Sequence, residues 1–219
     1  MAATPREDCT PEARVTKSLL GYGVLAGLVY VLGSVIDGLT RPGFDFAHDS
    51  WSLLSLGSRG WIHVVVFVLT GLMVAAAGVG FRRHARGAAG PALVAYGALL
   101  VLAGVFVPDA PGGSFSVHGL LHLAAGGLGF IAFAVAAFST GRRFGREGAR
   151  GWAAFSVVSG VLLLLGFFAV ASGSTAAPVV LGFTATVLLS WVWLALASIR
   201  TYRQAHEVGR IPASEVVSA

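Results

Sequence analysis

Six long apolar stretches, near residues 18–38, 61–81, 91–108, 117–139, 152–172 and 178–199, alternate along this chain with short polar gaps. Crossing a bilayer core takes roughly 20 apolar residues in helical form, and each stretch approaches or exceeds that length. The pattern predicts an all-α fold, a polytopic bundle of six transmembrane helices. It divides the chain into an N-terminal tail (1–17), a six-helix transmembrane domain (18–199) and a C-terminal tail (200–219). The first stretch exceeds the 7–15 apolar residues of a signal-peptide core. The Asp37-Gly-Leu-Thr-Arg-Pro that follows lacks a small-residue cleavage pattern, so this helix is expected to stay.

Charge then gives the bundle a direction. Of the 15 Lys and Arg, 13 lie in one alternating set of gaps: the N-terminal tail, Arg82-Arg83-Arg86, Arg142-Arg143-Arg146-Arg150 and the C-terminal tail. The other set holds Arg41 and Arg59 alone. Short loops rich in Lys and Arg stay cytoplasmic, which predicts both termini inside and a location in the cytoplasmic membrane. The net charge of +5 therefore points to anionic lipid head groups as partners and not to nucleic acid. A homo-oligomer or another membrane protein is the further partner that the pattern leaves open.

Composition agrees. Hydrophobic residues make up 56% and charged residues 11%, against about 25% charged in soluble domains, and the mean hydropathy is +0.80. The single cysteine, Cys9, excludes an intrachain disulfide. Pro91 and Pro178 mark helix starts, and Pro108 closes the third helix. Gly23/Gly27 and Ala125/Gly129 give the spacing of small residues that lets helices approach closely. The RRxxR pattern of residues 82–86 recurs at 142–146, as duplicated hairpins would produce, although two Arg-rich turns also arise by chance.

Residues 40–60 form the longest gap on the outer side. Asp49-Ser-Trp-Ser-Leu-Leu-Ser-Leu-Gly reads as a short interfacial helix capped by Asp49 or Ser50 and stopped by Gly57. Trp51 and Leu54 are expected to dip into the bilayer surface, with a lid over the bundle mouth as the alternative. The run Leu39-Thr-Arg-Pro-Gly-Phe-Asp-Phe, then Ser52-Leu-Leu-Ser-Leu-Gly, Gly60-Trp-Ile, Gly104-Val-Phe-Val-Pro-Asp, His118-Gly-Leu-Leu-His122 and Gly151-Trp-Ala-Ala-Phe-Ser resembles the bacterial membrane family called domain of unknown function 998. The resemblance covers nearly all six helices. It implies a six-helix membrane protein and no assigned activity. The chain departs from it at His63, where an amide such as Gln is expected.

Candidate chemistry gathers on the outer side. Asp37, Asp45, His48 and Asp49 lie in or beside the first outer gap, His63 opens the second helix, Asp109 follows the third, and His118 and His122 open the fourth. At i and i+4, His118 and His122 share a helix face in a geometry that can chelate zinc, with Asp109 or His63 as a third ligand. The structural alternative is a neutral His that hydrogen-bonds a backbone carbonyl on the adjacent helix. Zinc is the one cofactor that the spacing suggests. A second haem site near the inner face, needed for transmembrane electron transfer, would have only His84 and His206, both outside the apolar stretches. The leading expectation is a structural, accessory or ligand-binding membrane protein with a polar His/Asp cluster outside. An outer-face zinc hydrolase or metal-binding protein is the alternative, and a small-molecule or lipid transporter is a third.

Overall fold

In the computed structural model, which describes residues 10–205, the chain forms six α-helices and one short 3-10 helix: α1 (Pro11–Thr40), the 3-10 helix (Trp51–Ser55), α2 (Gly60–His84), α3 (Ala89–Val105), α4 (Val117–Arg146), α5 (Arg150–Ala171) and α6 (Ala177–Gln204). Cys9, His206 and the outermost tail arginines Arg6 and Arg210 lie outside the described residues. All helices except α3 are long and apolar enough to cross a membrane; α3, with 17 residues, is apolar but shorter. The chain is a helical membrane protein.

Local chemistry sets the helix ends. The Thr10 hydroxyl accepts a hydrogen bond from Ala13 N (3.2 Å), Pro11 occupies the first turn and Glu12 follows it, an arrangement that favours a helix N-terminus. α1 therefore starts seven residues before its apolar stretch. α2 closes on Arg82, Arg83 and His84, cations placed where the helix dipole is negative. α3 stops at Val105: Phe106 is already extended (φ −95°, ψ 99°), and Val107 precedes Pro108, a position that avoids helical geometry. α4 runs on to Arg146 and α6 to Gln204, beyond their apolar stretches.

Each helix packs on its sequence neighbours, and α6 packs on α1 to close a ring. Five connections join six helices, so both described chain ends lie at one end of the bundle, the tail end. The other, the loop end, carries the connections 41–59, 106–116 and 172–176. Between lipid-facing helices the hydrophobic effect supplies little attraction, so close contact relies on small side chains. The α2–α3 crossing shows this: a Cβ on Gly97 would collide with Gly71 O, and one on Gly71 would lie 2.5 Å from Gly97 O. The expected small-residue pairs also pack: Gly23 meets Ser198, Gly27 meets Trp191, and Gly129 meets Leu99 and Tyr96.

The tail half of the ring is filled. Leu20, Phe81, Phe133, Phe144, Trp193 and Leu194 are fully or almost fully buried there. The Trp193 indole N–H donates to Ser156 Oγ (2.9 Å), tying α6 to α5. The loop half is not filled in this way.

Candidate functional site: a cavity open at the loop end

Above the tail half lies a cavity of ≈ 360 Å³ lined by residues of all six helices and of the 41–59 loop. Tyr30 of α1, Tyr96 of α3 and Trp191 of α6 reach it from three sides of the ring. With Trp51 they form a continuous run of rings. Trp51 stacks on Tyr30 (centroids 5.9 Å, 22° between planes), and Trp191 lies tilted against both Tyr30 (5.0 Å, 35°) and Tyr96 (6.2 Å, 32°). Tyr30 lies ten residues below the end of α1, about 15 Å at 1.5 Å per residue, so the run reaches roughly half the thickness of a bilayer core.

The 41–59 loop covers part of the mouth. His48, Ser50, Trp51, Ser52 and Leu53 line the cavity. Trp51 is 8% exposed and Leu54 fully buried. They pack on the bundle, not into lipid as the sequence suggested: Trp51 has Tyr30 to stack on and Phe46 at its edge (6.3 Å), an apolar seat that protein offers in place of the bilayer surface. Among the two alternatives, the lid placement is the one observed. Ser50 precedes the 3-10 helix without a side-chain cap, and Gly57 beyond its end has φ +75°.

A buried ion pair holds this loop. The Asp37 side chain is 1% exposed and receives Arg41 Nη2 at 3.1 and 2.9 Å from its two oxygens. Arg41 Nη1 donates to Leu56 O (2.7 Å) at the far end of the loop. Arg59 donates to Thr40 O (2.9 Å) and to Thr40 Oγ1 (3.1 Å), and approaches Asp37 Oδ1 to 3.8 Å. Both arginines outside the basic gaps are thus used to fasten the loop to the end of α1.

The other candidate groups fall into separate constellations. Asp45 Oδ2 accepts from His48 Nδ1 (2.7 Å), Asp45 Oδ1 accepts from Ala47 N (2.8 Å), and Asp45 N donates to Asp49 Oδ2 (2.9 Å). The Ala47 amide and then His48 hold the Asp45 carboxyl below the usual range. Asp109 Oδ1 accepts from Ser116 Oγ (2.6 Å) and its Oδ2 from Ser116 N (2.9 Å), while Ser116 Oγ accepts from Gly119 N (3.0 Å). Those bonds from Ser116 lower the Asp109 pKa, and the chain of three residues caps α4. A Cβ on Gly119 would collide with the Asp109 carboxylate.

His118 is exposed beside the Phe106 ring (5.7 Å). His122 Nδ1 lies 2.8 Å from both Ala103 O and Phe106 O. Carbonyls only accept, so Nδ1 carries the proton and Nε2 is left as an acceptor. His63 is fully buried with neither ring nitrogen partnered, and the Phe67 ring meets both His63 (4.9 Å) and His122 (6.2 Å). Among the described residues no three His, Cys, Asp or Glu side chains stand close enough to hold a metal ion. The helix face shared by His118 and His122 therefore does not assemble the three-ligand zinc site that their spacing allows: one nitrogen of His122 is committed to α3 and the Asp109 oxygens to Ser116.

Of the candidate residues, His48, Asp109 and His122 line the cavity. The sequence reading missed Tyr30, Tyr96 and Trp191. A signal was present: a tyrosine deep in an apolar helix carries a hydroxyl that has to be placed. The architecture is that of a helical membrane protein with a pocket entered from one end. The chain belongs to the family described as "Protein of unknown function (DUF998)", whose model matches residues 24–200. Comparison with curated proteins and with solved structures gave no match.

Proposed function

We propose that this is a non-enzymatic binding protein of the cytoplasmic membrane, with six spans and both termini cytoplasmic, which takes a small ligand into the cavity from the extracytoplasmic side. The observation that carries the reading is the cavity itself: it is lined mainly by aromatic and aliphatic side chains with a few polar groups, the usual make-up of a ligand site, and it ends on a packed tail half. The distribution of Arg supports the orientation, since Arg82, Arg86, Arg142, Arg146 and Arg150 are all at the tail end and there suit anionic head groups. α3 then spans with the help of its neighbours, a short apolar helix being accommodated by local thinning or flanking groups. A zinc hydrolase has less support, because Asp109 and His122 are used to fix helix ends. Transport has less support because Phe133, Trp193 and Leu194 fill the tail half.

Labelling of introduced cysteines in a Cys9→Ser background tests the reading in intact cells. Ser114→Cys and the cavity-lining Thr184→Cys are expected to react with an impermeant thiosulfonate added outside. Ala88→Cys and Ser198→Cys are expected to react only after the membrane is opened, or not at all. Labelling of Ala88→Cys from outside reverses the orientation, and an inert Thr184→Cys removes the external entrance.

A further inference from the structure

The cavity lining specifies its ligand further. Among the described residues, Lys, Arg and Glu are missing from it, and its one acid, Asp109, already receives both the N–H and the O–H of Ser116. A phosphate or carboxylate entering here would lose its hydration and meet no Lys or Arg, and His48 at the mouth already faces Asp45. The wall therefore disfavours anionic lipids. What remains is an apolar surface of Leu99, Leu100, Leu123, Phe130, Phe167 and Phe183, flanked by the Tyr30–Trp191–Tyr96 rings.

Beside the Tyr30 and Tyr96 hydroxyls and the Ser and Thr side chains of the lining, His122 brings a polar atom whose role is defined. Its Nδ1–H is fixed on Ala103 O and Phe106 O, so its Nε2 is an acceptor; among the described residues it has no hydrogen-bond partner, and it is not one of the fully buried unpartnered atoms. An acceptor nitrogen at the edge of an apolar pocket is met best by a hydroxyl that donates. His122 lies five residues into α4, about 8 Å below its start, above the ring floor, so a hydroxyl there leaves its hydrocarbon chain pointing into the aromatic part.

We infer that the ligand is an uncharged, hydroxyl-bearing lipophile of the membrane, a lipid alcohol in the broad sense, whose O–H donates to His122 Nε2 and whose hydrocarbon fills the space above Tyr30, Tyr96 and Trp191. The inference rests on the ligand-binding reading above and adds the chemical class. His122 both positions helix α3 and reads the head group; Gly126, which lines the cavity and has nothing within 4 Å of where a Cβ would stand, marks open space that a larger side chain can fill.

The test uses the full chain in nanodiscs of zwitterionic lipid and three bromine-tailed probes: 10-bromodecan-1-ol, its methyl ether and 10-bromodecyl phosphate. Bromine quenches an indole on contact, and Trp191 on the cavity floor is the intended reporter. Quenching that Gly126→Phe abolishes is quenching in the cavity; the remainder comes from lipid-facing tryptophans such as Trp61. The alcohol is expected to bind about 5–10-fold more tightly than the ether, the worth of one hydrogen bond, and the phosphate not at all. His122→Leu, which removes the acceptor altogether, is expected to reduce that preference to less than twofold while the ether still binds. Equal binding of alcohol and ether, or preferred binding of the phosphate, overturns the ligand class and leaves the cavity as a binding site. If no probe gives quenching that Gly126→Phe removes, the ligand-binding reading itself is overturned.

Discussion

His122 Nδ1 stands 2.8 Å from Phe106 O, the first carbonyl beyond the end of α3, and the same distance from Ala103 O one turn earlier. One imidazole N–H thus ties two of the carbonyls that a helix C-terminus leaves without intrahelical partners to the adjacent helix. Truncation at His122 removes that tie. His122→Ala is expected to lower stability by about 1–2 kcal/mol, the upper range for a polar contact between membrane helices. His118→Ala, at an exposed position, is expected to stay within about 0.5 kcal/mol of the parent. Thermal unfolding of both variants in one detergent checks the contrast. Equal losses would show that α3 is held by something other than His122.

The Asp37 carboxylate carries more. Its side chain is 1% exposed, and removing one member of a buried pair leaves the other charge uncompensated at a cost of about 3 kcal/mol or more. Asp37→Ala is expected to destabilise by that amount and to free the loop at 41–59, because Arg41 spans from Asp37 to Leu56 O. Limited proteolysis from the loop side reads the second effect. Arg41→Lys keeps the charge but cannot reach both anchors, so it is expected to release the loop with a smaller loss of stability.

Glycine substitutions divide by their surroundings. A Cβ at Gly97 collides with the backbone of α2, and backbone cannot rotate away, so Gly97→Ala is expected to cost about 1–3 kcal/mol, the usual range for overpacking. Gly126→Ala meets no atom within 4 Å, and alanine favours a helix interior by about 0.5–1 kcal/mol. It is expected to be neutral or stabilising. Unfolding of the pair in denaturant distinguishes them.

Acid acts at the start of α4. The Asp109 carboxyl is held below its usual range by Ser116. A carboxylate with a lowered folded-state pKa contributes in full above its unfolded value of about 3.9 and loses that contribution as pH falls through the folded value. The Ser116 cap is therefore expected to be unchanged from neutrality down to about pH 5 and to loosen only well below pH 4. A spin label on Ser114→Cys reports it as a rise in mobility, which Asp109→Asn is expected to shift or remove. A loosening between pH 6 and 7 would implicate a histidine instead.

The sequence made the helices legible and the cavity illegible, for one physical reason. Hydropathy measures what lipid requires of each residue, so the six apolar stretches mark helices, with ends that miss by a turn or two where helix propensity outlasts the membrane, as at Pro11, Arg146 and Gln204. Which residues face inward depends on packing across the ring. Tyr30, Tyr96 and Trp191 stand on α1, α3 and α6, and no local pattern brings them together. The polar residues were legible as a set near the loop end, but not their partners: Asp37 belongs to Arg41, Asp109 to Ser116, and His122 to the carbonyls of α3.

Ring closure through α1 and α6 has a consequence for how the protein is made. Gly23, Gly27 and Tyr30 on α1 wait for Ser198 and Trp191 on α6, so as the chain emerges, one flank of α1 lacks its neighbour until α6 has entered the membrane. The ring is complete only once α6 has entered. Until then that flank, with its bare Gly23 and Gly27 backbone, faces lipid or a passing helix in place of its own partner.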